Sequence, residues 1–225
     1  MKKYLKLVFY LLNENYKTIY FNFKYFTFKE AILFPIIISR NVYLKELKGT
    51  VVIEGKLKYG MIRIGFGEVG IFDEKKSRAI LQLCGSLIFK GSAQIGHGSK
   101  LSIGKNGCLI IGNNFKITAE TAIVSHEKIE FGSNCLLSWD ILLMDTDFHI
   151  IRDSDDRQVN VSREIIVGDN VWIGCRSTIL KGSRIPNHCV IGANSVLNSN
   201  FKIEKAIYAG IPAHLVRDNI RWTNK

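Results

Sequence analysis

The sequence predicts an all-β protein built as a hexapeptide β-helix. Three features carry that expectation. An aliphatic residue falls on every sixth position through Val167, Ile173, Ile179, Ile185, Ile191 and Leu197. Gly168, Gly174 and Gly192 directly follow three of these. The same step recurs upstream in Ile111, Ile117, Ile123 and Ile129. An amphipathic helix would space its apolar residues at three and four, and a plain strand at two. A period of six fits a short strand plus a turn, repeated, with the sixth residue pointing into a narrow core. Glycine after it suits a corner where a Cβ would crowd the backbone.

The chain has 225 residues, 47% of them hydrophobic and 23% charged, enough to bury a core in one main domain. Its five cysteines, Cys84, Cys108, Cys135, Cys175 and Cys189, form no CxxC pair. That favours a reducing cytoplasm over a disulfide or zinc framework. The net charge is +11, and residues 1–50, with nine Lys/Arg against three Glu, hold +6 of it. No nucleic-acid-binding signature accompanies the charge, so nucleic acid is not an expected partner. Acidic small molecules, anionic glycans and membrane surfaces are.

Residues 1–48 read as an extension in which Tyr4, Phe9, Tyr10, Tyr16, Tyr20, Phe21, Phe23, Tyr25, Phe26 and Phe28 alternate with lysines. MKKYLKLVFYLL resembles a signal peptide at first sight, but Lys6 interrupts it and no small-residue cleavage site follows. The expected structure is a short amphipathic helix and extended segments covering the first coil. The aromatic–lysine mixture also suits a peripheral membrane contact.

The β-helix is expected over 49–205, its first coils irregular because a terminal repeat must close the solenoid. Ile95, Ile103 and Ile111, each followed by glycine, mark the regular coils. A shifted register runs through Phe131, Leu137 and Leu143, and its next position is His149. There the hexad stops, and 150–164, with Arg152, Asp153, Asp155, Asp156 and Arg157, reads as a protruding loop. Residues 206–225 read as a tail in which LVRDNIRW begins a short helix.

An imidazole at that break can accept the proton of a hydroxyl near neutral pH. Asp145 and Asp147 flank it. On a strand, Asp147 and His149 would project to one side, as an acid orienting a base must, while simple turn chemistry is the other use of these aspartates. His97, His126, His188 and His214 lack the spacing of a metal site, so none is expected.

GDNVWIGC, IGANSV and AGIPAHLVR are similar to the left-handed β-helix acyltransferases with bacterial hexapeptide repeats, among them the maltose, galactoside, serine and xenobiotic O-acetyltransferases. CLLSWDILLMDTDFHII resembles the branch that modifies cell-surface polysaccharides. The resemblance spans about residues 85–218. It implies a left-handed parallel β-helix, a homotrimer, acetyl-CoA as donor, and direct acetyl transfer to a hydroxyl of a surface glycan or its lipid-linked or nucleotide-sugar precursor. His149 then corresponds to the general base, assisted by Asp147 or Asp145. His126 stands where galactoside enzymes place an acceptor-binding Asp. Trp172, Cys175 and Ala193 match the pantetheine channel, Asn198 and Ser199 the adenine end, and Arg217 the residue meeting the 3′-phosphate. His214 replaces the usual Arg or Lys. Cys175 has no adjacent His base and is not expected to carry the acyl group. N-acetylation of an amino-sugar nucleotide is the enzymatic alternative, although no GxGxxG opens a helix here. A non-catalytic scaffold is the other, and such a scaffold needs neither His149 nor Arg217.

Overall fold

The computed structural model describes residues 15–223. The start of the extension, including Tyr4, Phe9 and Tyr10, lies outside the described residues. The remainder winds as a three-faced parallel β-helix. Its faces, here A, B and C in the order the chain visits them, hold nine, seven and six strands. Among the described residues every pairing between these strands is parallel except the last, Ile207–Gly210 with Ala213–Arg217.

The hexad residues build the interior. Ile117, Leu137, Ile173, Ile191 and Tyr208 stack in register inside face A. Leu101, Ile123, Leu143, Ile179 and Leu197 do so inside face B. Phe89, Ile111, Phe131, Val167 and Ile185 line face C. All of these are buried, and each such side chain contributes roughly 1.5–3 kcal/mol of burial free energy. The corners leave no room for side chains: a Cβ on Gly112 would sit 2.2 Å from the Gly132 carbonyl oxygen.

In its last five coils the edge between faces C and A turns through one left-handed residue each: Asn114, Asn134, Asn170, His188 and Lys205, with φ of 54°, 59°, 54°, 60° and 52°. Asparagine tolerates this conformation better than most residues. Asn114 donates to Asn134 at 2.9 Å, which ties successive turns together.

Two expectations change. The coil begins at Ile36, ahead of the expected boundary at 49, because Ile36–Ile38 pairs with Ile62–Ile64 and Val42–Leu47 with Ala79–Leu83. The long segment between these strands hides the period. The tail carries no helix among its described residues. Ala213–Arg217 folds back antiparallel instead, since Gly210 takes φ 111° and opens a hairpin.

Helix α1 (Tyr16–Tyr25) caps the first coil. Its buried Thr18 and Asn22 act as a substitute strand. Ile38 N–H donates to Thr18 Oγ1 at 2.9 Å, and Asn22 Nδ2 donates to the Ile36 carbonyl at 2.6 Å. Asn15 caps the helix and donates to the Ile38 carbonyl at 2.7 Å. The outer edge of the first strand is thereby satisfied by side chains rather than by another strand. Among the described residues no helix is long and apolar enough to cross a membrane.

Candidate active site

The B–C edge carries the loop. In the coil beneath it, the edge is the tight turn at Ser125, His126 and Glu127, between strands Ala122–Ser125 and Lys128–Phe131. In the next coil the chain leaves face B after Leu142–Met144 and re-enters face C only at Ile165–Val167.

Asp145 opens this excursion and is fully buried. Its carboxylate receives the His126 N–H at 2.7 Å, the Glu127 N–H at 3.0 Å and the Ser125 hydroxyl at 3.1 Å. Three donors and full burial tie it to the turn below, which it clamps. The expectation that Asp145 contacts substrate or orients the imidazole is corrected by this burial.

Asp147 does not orient His149 either. The strand ends at Met144, and Phe148 takes φ 62°, so the alternation that would align the two side chains is lost. The Asp147 carboxylate instead accepts from Lys181 Nζ at 2.5 Å and Asn160 Nδ2 at 2.9 Å. These two donors, Lys181 first, hold the carboxyl below the usual carboxylate range. Asn160 also donates to the His149 carbonyl at 2.8 Å and accepts the Ile151 N–H at 2.7 Å. The His149 N–H bonds the Asp147 carbonyl at 2.7 Å. The backbone of His149 is thus held on both sides while its side chain is exposed.

Phe148 turns back onto His126, ring edge to ring face, with centroids 4.8 Å apart. His126 is half-buried over Gly104, where a Cβ would meet its ring at 2.9 Å. The two histidines predicted to share a site therefore sit on neighbouring turns of one edge, linked by Phe148. Among the described residues no cluster of three or more metal-ligating side chains occurs.

The expected donor residues fall elsewhere. Trp172 lies on the outer side of face A, where its indole donates to Ser138 at 3.2 Å. Val190, Ile207 and Arg217 occupy the same row in successive strands. Cys175 and Ala193 stack at the A–B edge, and the Asn194 N–H bonds the Cys175 carbonyl at 2.8 Å. Asn198 and Ser199 are exposed on the B–C edge, above the loop. Within one chain the donor positions at the A–B edge and His149 at the B–C edge are separated by the whole of face B. Sequence reasoning missed Asn160 as the brace of the loop and Lys181 as the partner of Asp147.

The family model "Bacterial transferase hexapeptide (six repeats)" matches residues 164–199. The chain is 37% identical over 107 residues to the polysialic acid O-acetyltransferase of Neisseria meningitidis, covering 47% of this chain and 50% of that protein. It is 30% identical over 134 residues to the polysialic acid O-acetyltransferase of Escherichia coli O1:K1, covering 59% of this chain and 41% of that one. The chain thus spans half or less of the length of these two relatives. Among solved structures, the polySia-specific acetyltransferase NeuO superposes with a TM-score of 0.58 at 21% identity, covering 83% of this chain and 91% of that one. The fold is that of a left-handed parallel β-helix, and within it residues 164–199 are similar to the hexapeptide repeats of bacterial transferases.

Proposed function

We propose that the protein is an O-acetyltransferase that moves the acetyl group of acetyl-CoA to a hydroxyl of a bacterial surface glycan. The observation that carries this reading is His149. It stands where the coil is interrupted, its backbone fixed by Asn160 and Asp147, and its ring exposed and without a hydrogen-bond partner among the described residues. The names of the relatives supply the acceptor class: two act on polysialic acid. In the reaction, an imidazole nitrogen of His149 takes the proton of the hydroxyl while its oxygen attacks the thioester carbonyl. The C–S bond then breaks, and the imidazolium returns the proton to the departing thiolate. His126, one turn below, would contact the acceptor.

The character of the faces supports a homotrimeric assembly. The outward side of face B in the upper coils presents Ala122, Val124, Leu142, Met144, Leu180 and Val196. Face C presents ion pairs instead, Lys128 with Glu130 at 2.7 Å and Lys90 with Glu130 at 2.9 Å. An apolar face on a narrow solenoid calls for a partner, and closed symmetry provides it without open-ended growth. In a homotrimer with face B turned to the axis, the A–B edge of one copy meets the B–C edge of the next. Trp172, Cys175, Ala193 and Arg217 of one chain would then hold the donor against His149 of its neighbour, with Asn198 and Ser199 near the adenine. The protein would work in the cytoplasm, where acetyl-CoA is made available.

Complementation tests this directly. His149→Ala and Ala193→Trp should each abolish transfer as pure assemblies, one lacking the base and the other blocking the donor channel. Co-assembled, they should regain activity, because some interfaces pair an intact His149 with an intact Ala193. Mixed assemblies as inactive as the parents would refute a shared site.

A further inference from the structure

The C–A edge carries a second cavity, of about 930 Å³, on the side of the coil away from His149 and from face B. The tail forms its outer wall. Ile220 N–H donates to the Lys205 carbonyl at 2.8 Å, and the Trp222 indole donates to the Asn170 carbonyl at 2.8 Å, so the tail is fastened to the edge at two points. The Trp222 ring lies 6.1 Å from that of Trp172. Lys116, Lys205 and Arg221 line the cavity with one carboxylate, Asp169. Among the described residues none of the three cations forms an ion pair. The Asp169 carboxylate is already engaged by the Ser133 N–H at 2.6 Å. The floor is the amide row of Asn114 and Asn134.

We infer that this cavity is a docking subsite for an acidic oligosaccharide. Three unneutralised cations call for an anion, and amide side chains can bond sugar hydroxyls in both directions. An indole gives a sugar ring a flat apolar wall with a polar tip. The volume falls in the upper part of the ~300–1,000 Å³ range of small-molecule pockets, ample for more than one sugar ring. With face B turned inward, this edge faces outward on each copy of the trimer. A long acidic acceptor could be held here while another stretch of it reacts at His149. The inference rests on the glycan reading above and adds to it the acidity of the acceptor and a second point of attachment.

Binding can be measured without turnover. The full chain is titrated with oligogalacturonate, a linear chain of carboxylated sugars, and with maltohexaose as the neutral control, by calorimetry and tryptophan fluorescence. Oligogalacturonate should bind, with an affinity that falls as salt rises. The Lys205→Gln/Arg221→Gln variant should lose about tenfold or more in affinity, and Trp222→Phe should lose most of the fluorescence response. Equal melting temperatures would show both variants folded. His149→Ala should bind as wild type does, so a failed transferase assay and a failed docking site are distinguishable. Unchanged binding in the double variant, equal binding of maltohexaose, or full displacement by coenzyme A would each overturn the assignment, the last by giving the cavity to the donor.

Discussion

The C–A and B–C edges are built from the same repeat and differ in what they tolerate. Over its last five coils the C–A edge turns with one left-handed residue each, and Asn114 and Asn134 stack their amides there. The B–C edge varies from the short turn at His126 to the excursion from Asp145 to Glu164. The uniform edge keeps the coils in register, and that register lets the other edge depart without unravelling the core. Regularity marks the fold, and its interruption is where the proposed chemistry sits.

The largest effect should come at the irregular edge. His149→Ala should lower kcat by roughly 10²–10⁴-fold, the usual contribution of general base catalysis, with acetyl-CoA affinity little changed. Arg217→Ala should weaken acetyl-CoA by about 1.5–3 kcal/mol and spare the chemical step at saturating donor. Steady-state kinetics with calorimetry would separate the two. A His149→Ala enzyme with most of its kcat would remove the reason for treating the edges differently.

Next in size is Asp145→Ala, which leaves two N–H groups of a part-buried turn without their acceptor, while the Ser125 hydroxyl keeps the Cys108 carbonyl at 3.2 Å. A loss of about 3 kcal/mol or more is expected in denaturant unfolding, and Asp145→Asn should recover only part of it. At the regular edge the cost should be smaller. Asn134→Val puts a β-branched residue at φ 59° and should destabilise by about 1–2 kcal/mol, whereas Asn134→Gly, which loses only the exposed bond to Asn114, should cost about 1 kcal/mol or less.

The smallest effect should be the acid dependence of Asp147. Its folded pKa lies below its ordinary value because Lys181 and Asn160 bond the charged form. A depressed carboxyl contributes stability that is present above the unfolded pKa and lost as pH falls through the folded one. The stability difference between wild type and Asp147→Asn should therefore be constant near neutrality and shrink below about pH 4. A difference that persisted unchanged to lower pH would mean the ion pair with Lys181 contributes nothing.

Much of this was legible in the residues. The hexads were, because each corner is short enough to keep the period at six. The first coil was not, since the stretch between Leu47 and Ala79 departs from the period and Ile36–Ile38 alone carries no repeat. His149 was legible as the place where an aliphatic position turns polar. Its supports were not. Asn160 returns across a hairpin, and Lys181 reaches Asp147 from 34 residues away in the next coil, a distance set by the length of the loop. The misreading of Asp147 came from extending strand alternation past Met144, where the chain had already turned. The tail hairpin was misread because Gly210 follows residues that suit a strand as well as a helix.

The two ends of the solenoid remain. A stack of identical coils has no intrinsic stopping point, and an open rung at either end is a template for another molecule. Here the outer edge of the first strand of face A is occupied by Thr18 and Asn22 from α1, and the same face finishes in a strand of opposite direction. A parallel newcomer would find side-chain groups at one end and a mismatched hydrogen-bond pattern at the other. Face A thereby carries its own length limit, and its resistance to end-to-end growth is a property of the first helix and the last hairpin.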